Sequence, residues 1–231
     1  MIVAGLWALA GASSLIVGAL LALNGLIRGR ALALLIAFGV GTLVSAVAYD
    51  LVEEAVRVSA TGISVAAGFV FGALAYYAGD SVVDRMGDAG GLSILLGSVL
   101  DGIPESIVLG LTLVGGPAPS VAVLVAIFVS NIPEAVASST EMRSAGRTPS
   151  WIVGAWLLVA AVSAVAASLG YGLSGGKPGE AIAFIDAFAA GAILVLLADD
   201  LLPKAHGESD KVVGLATAAG FAVAALLSFT S

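Results

Sequence analysis

The 231-residue sequence contains no cysteine and a single histidine, His206. Without thiols there are no disulfides, no zinc–thiolate sites and no thiol redox chemistry, and one histidine rules out any multi-histidine metal site. Charge is also scarce: Asp, Glu, Lys and Arg make up 11% of the residues, against about 25% in a typical soluble domain. The charge that remains is acidic, 16 carboxylates to 9 Lys and Arg, so no basic face is available for nucleic acid. No nucleophile–base pair can be assembled without cysteine and with one loop histidine, which argues against an enzyme. No prosthetic group is expected, and no polar stretch is long enough for a soluble domain.

The sequence is instead 60% hydrophobic, with a mean hydropathy of +1.11. This is the composition of an all-α membrane protein whose surroundings are the lipid bilayer. A bilayer core needs about 20 apolar residues per helix. Cutting the chain at charged, Gly-rich and Pro-rich breaks gives eight spans in one transmembrane domain, 1–231. They cover 2–27, 31–56, 62–78, 91–114, 118–141, 150–173, 180–203 and 211–229. The third is the shortest, cut where GDSVVDRMGDAG (79–90) begins. The N-terminal run has no basic leader and is about twice the length of a signal-peptide apolar region, so it reads as a retained first span.

Basic residues orient the spans. Arg28, Arg30, Arg85, Arg143, Arg147, Lys204 and Lys211 share one side, and Arg57 and Lys177 the other. The positive-inside rule then puts both termini outside a plasma (inner) membrane. Trp151, Tyr171, Tyr76 and Tyr77 fall near span ends, where interfacial aromatics are expected. Residues 37–55, AFGVGTLVSAVAYDLVEEA, echo residues 187–205, AFAAGAILVLLADDLLPKA. Span two thus pairs with span seven, in opposite directions. The spans group as 3+2+3 with inverted repeats, a common transporter architecture.

The central pair carries two related motifs, VLDGIPESIV at 99–108 and FVSNIPEAVA at 128–137. A carboxylate at membrane depth is costly and usually marks an ion or proton path. Asp101 and Glu105 are four apart and share a helix face; Ser130 and Glu134 repeat the spacing, with Asn131 beside them. All five fall near mid-membrane at about 1.5 Å per residue. Pro104 and Pro133 donate no backbone hydrogen bond, so each frees a carbonyl, at Leu100 and Val129, and is expected to kink its helix. These two spans hold no Lys or Arg to neutralise the acids. Two facing half-sites for a cation follow, in which Asp101, Glu105, Ser130, Asn131 and Glu134 are the candidate metal ligands and supply four or five oxygens to one centre; without an ion the acids would have to be protonated.

DGIPESIVLG and SNIPEAVASS resemble the fourth- and fifth-helix motifs of the ZIP (Zrt/Irt-like) metal transporters, commonly His-Asn-x-Pro-Glu-Gly and His-Asn/Glu-x-Pro-Glu-Gly. LADDLLPKAHGES followed by GLATAAGFAV is similar to that family's seventh and eighth helices. The resemblance implies eight spans, external termini and a carrier that moves divalent metal into the cytoplasm. It also implies that Glu105 and Glu134 bridge a two-metal site where the family has one. The chain departs from the pattern at Asp101 and Ser130, where the family has histidines, and at Gly102, where it has Asn. Span six has no carboxylate, and 79–90 has Asp80, Asp84 and Asp88 but no histidine. An all-oxygen ligand set leans toward Mn²⁺ or Fe²⁺ over Zn²⁺, whereas the family resemblance leans toward zinc and iron.

Asp50, Glu53 and Glu54 end span two and read either as cation-attracting groups at the outer face or as a solvated helix end. Asp199, Asp200, His206, Glu208 and Asp210 cluster at the cytoplasmic end of span seven, as an exit relay or as a plain loop. Asp186 reads as interfacial. Span glycines such as Gly62, Gly68, Gly72, Gly91 and Gly97 suit either a homodimer or packing inside one subunit. The expected function is transport of divalent metal ions of the Zn, Fe and Mn class. A proton-coupled small-solute carrier and a transport-inactive metal sensor or scaffold are the alternatives.

Overall fold

The computed structural model describes residues 1–87, 91–114, 119–173, 179–207 and 212–229. Among them the regular secondary structure is all helical, with no strand. Eight helices follow in order: α1 (Ile2–Leu23), α2 (Gly29–Val58), α3 (Ile63–Arg85), α4 (Leu92–Leu111), α5 (Val121–Ser144), α6 (Pro149–Leu173), α7 (Glu180–His206) and α8 (Val212–Ser228). The first seven are long and apolar enough to cross a bilayer. The eighth has 17 residues, about 26 Å at about 1.5 Å each, a little short of a hydrocarbon core about 30 Å thick.

Two of the expected boundaries move for identifiable reasons. Helix α3 does not stop at Gly79-Asp80 but runs to Arg85. A glycine inside a helix costs about 1 kcal/mol but does not end it unless the backbone turns left-handed. Gly79 stays helical against the Leu100 side chain; Gly87, at φ +60°, makes the turn. Tyr76 consequently sits inside the helix and is buried, not interfacial, while Tyr77 next to it stays exposed. At the start of α5, Ser120 caps the helix by accepting a hydrogen bond from the Val123 amide at 3.3 Å.

Helices α4 and α5 run through Pro104 and Pro133 without a break. Helices α2 and α7 each contain a wide π-helical turn, Val47–Val52 and Leu197–Leu201. Both turns carry acids, Asp50 in one and Asp199 and Asp200 in the other.

Packing is organised around the central pair. Helix α5 lies against α1 and α2, and α4 lies against α6 and α7. Two glycine seams close the rest. In α2–α8, a side chain on Gly41 would strike the Thr217 carbonyl, and one on Gly220 would strike that of Phe38. In α3–α7, Gly191 meets the Phe69 carbonyl and Gly72 that of Phe188 in the same way. Gly68 joins the second seam against Phe184. The glycines of α3 are therefore used inside the subunit.

Candidate metal centre

All five sequence-picked residues are buried, at 3–7% exposure: Asp101, Glu105, Ser130, Asn131 and Glu134. The i, i+4 spacing does what it should on α4 and α5, turning carboxylates inward at overlapping depth. Their surroundings divide them into three groups.

Glu105, Asn131 and Glu134 line one small cavity between α1, α4, α5 and α6. Its free volume is about 10 Å³, close to the space of a single water. Three serines not among the expected ligands share its wall: Ser98 and Ser106 from α4, the latter inside the first motif, and Ser163 from α6. The Ser106 hydroxyl donates to the Gly102 carbonyl at 2.6 Å. Gly102, which stands where the family has Asn, opens the space: the Ser163 oxygen lies 3.4 Å from where its Cβ would be.

Asp101 faces a different space. It lines a cavity of about 370 Å³ that opens at the ends of α3, α5 and α7, with Asp80, Asp84, Glu141, Asp200 and Lys204. Ser98 borders both cavities, so it marks the partition between them. The buried Tyr76 hydroxyl donates to Asp101 Oδ1. A cation lines the same cavity from α7: Lys204, whose Nζ pairs with Asp200 at 2.7 Å. That lysine lies outside the two motif-bearing spans and answers part of the charge imbalance seen there.

Ser130 borders neither cavity among the described residues. Its hydroxyl donates to the Ile127 carbonyl at 3.1 Å, and its backbone lies against Gly39 of α2. Among the described residues, no three His, Cys, Asp or Glu side chains are gathered closely enough to hold a metal ion. The arrangement brings Glu105 and Glu134 together at the small pocket, with Asp101 across the Ser98 partition in the wider cavity. Two buried carboxylates without a cation are unfavourable, and a positive ion or protons between them would relieve the cost.

The acids at the other ends also resolve. Asp50 and Glu54 line a third cavity with Asp186, while Glu53 is exposed. Asp186 is buried, at 3% exposure. His206 is exposed, with Nδ1 3.0 Å from the Leu202 carbonyl. Asp88, Lys177, Glu208, Asp210 and Lys211 lie outside the described residues.

Comparison with protein-family models and with curated proteins gives no match.

Proposed function

We propose that this chain is a ZIP-like carrier that moves divalent metal ions of the Zn, Fe and Mn class toward the cytoplasm. The observation that carries this reading is the meeting of Glu105 and Glu134, from two Ile-Pro-Glu helices, in one buried cavity of about 10 Å³. That space suits a stripped ion better than an organic solute. Asp101, held by Tyr76, stands at the inner end of the wider acidic cavity and would pass the ion between the two. Ligands on this path are carboxylate, amide and hydroxyl oxygens, which favour a hard ion such as Mn²⁺. Ser130 would have to rotate away from Ile127 to join them.

The 3+2+3 arrangement with inverted repeats is part of the same reading. Support comes from the paired seams, which match in register: Gly41 and Gly191 are 150 residues apart, as are Phe38 and Phe188. Their partners Phe69 and Thr217, and Gly72 and Gly220, are each 148 apart. Both π-helical turns fall at the echoed position as well. With the basic loops inside, both termini face out of the plasma membrane and the 370 Å³ cavity opens to the cytoplasm. This conformer would then be the cytoplasm-facing one.

The test is uptake into proteoliposomes, with Mn²⁺, Fe²⁺, Zn²⁺, Cd²⁺ and Mg²⁺ in parallel. Uptake by the wild type that disappears in Glu105→Gln/Glu134→Gln supports the carrier. Folded protein that takes up none of the five would overturn it and favour the sensor or proton-driven readings.

A further inference from the structure

The third cavity lies at the opposite end of the bundle from the 370 Å³ one. It is lined by the late residues of α2 and α4 and the early residues of α7, whereas the wide cavity uses the early part of α4 and the late part of α7. Its free volume is about 270 Å³. Three carboxylates face it, Asp50, Glu54 and Asp186, with a single cation, Arg57.

The three acids are not equivalent. Asp50 accepts hydrogen bonds from Ser120 Oγ at 2.8 Å and Ser228 Oγ at 3.0 Å, which fixes its carboxylate between α2, α5 and α8. Glu54 shares its charge with Arg57, whose side chain is 70% exposed and turns outward. Asp186 is 3% exposed, and among the described residues it meets neither a hydrogen-bond donor nor a cation. A buried carboxylate left this way is expensive unless something positive reaches it, and the cavity it lines gives a soluble ion access to it.

We propose that this cavity is a second cation site, in which a hydrated divalent ion is held by Asp186 with Asp50 and Glu54. The three carboxylates are too far apart to coordinate one bare ion together. A volume of about 270 Å³ admits an ion with its water shell, since a water occupies about 30 Å³ in the liquid. Carboxylates acting partly through water select for charge and hardness, the preference of Mn²⁺, Mg²⁺ and Ca²⁺. The site goes beyond the transport reading and stands or falls separately from it.

The experiment is equilibrium Mn²⁺ binding to the purified full-length chain, followed by electron paramagnetic resonance. The background is Glu105→Gln/Glu134→Gln, which removes the central carboxylates. This protein is expected to retain about one bound Mn²⁺, in a largely hydrated environment. Adding Asp186→Asn should weaken that binding at least tenfold. Adding Asp50→Asn/Glu54→Gln instead, which leaves the buried position untouched, should weaken it several-fold and guards against a folding defect in the first variant. Absence of bound Mn²⁺ in the background protein, or binding that neither addition changes, would overturn the proposal. Loss of uptake in the central variant does not enter this readout, so the two readings fail independently.

Discussion

At the residue scale, the Tyr76–Asp101 contact has the clearest consequence. The phenol fills a buried position with its ring and uses its hydroxyl to hold one carboxylate oxygen at the edge of the wide cavity. A hydrogen bond to a charged group contributes about 1.5–3 kcal/mol. Tyr76→Phe keeps the ring and removes only that restraint. The expected outcome is a folded protein of nearly unchanged melting temperature whose KM for Mn²⁺ uptake rises about tenfold, with turnover at saturating metal largely retained. Unchanged KM would mean that Asp101 needs no orienting partner. Nothing in the sequence marks Tyr76 for this role. The pairing of Glu105 with Glu134 was legible because both acids sit in repeated motifs with helical spacing. Tyr76, Ser98, Ser163 and Lys204 reach the same region from other turns and other helices, and short-range spacing says nothing about contacts between elements. The burial of Asp186 was not legible for the same reason, since packing between helices decides it.

At the element scale, the seams make a sharp distinction among glycines. A Cβ on Gly72 would overlap the Phe188 carbonyl, and one on Gly41 that of Thr217. Backbone atoms at this range cannot move aside without separating two helices. Gly72→Ala and Gly41→Ala are each expected to destabilise the fold by at least about 1–3 kcal/mol, seen as a lower melting temperature in detergent. Gly154, inside α6, has nothing within 4 Å of its missing Cβ. Gly154→Ala should be neutral or stabilise by up to about 1 kcal/mol, since it only removes backbone freedom. The helices themselves were readable from hydropathy. Which glycines form the seams was not, because small residues occur on every face of these apolar segments.

At the scale of the whole molecule, a 3+2+3 carrier of the proposed kind would alternate access by moving two three-helix halves against α4 and α5. The seams complicate that picture. They tie α3 to α7 and α2 to α8, and so join elements of opposite halves. A body that moves against α5 would carry both seams with it. A disulfide between α2 and α5 tests this, and the cysteine-free chain makes the test clean. A Cβ on Gly39 would lie 3.4 Å from that of Ser130, near the range a disulfide spans. Gly39→Cys/Ser130→Cys is expected to abolish metal uptake when oxidised and to recover it on reduction. Uptake indifferent to the redox state would place the motion elsewhere.

The same seams also bear on how the chain reaches its final form in the bilayer. Helices α2 and α3 are synthesised early, but the surfaces that cover their glycine edges arrive only with α7 and α8. Until then those edges face lipid, and the nascent first half has no settled partner for them. Fragments 1–146 and 147–231, cut in the α5–α6 connection, are expected to be degraded when expressed singly and to accumulate as a complex when expressed together. Assembly would thus be governed by α7 and α8, and a lesion in either would be felt first as a failure of α2 and α3 to mature.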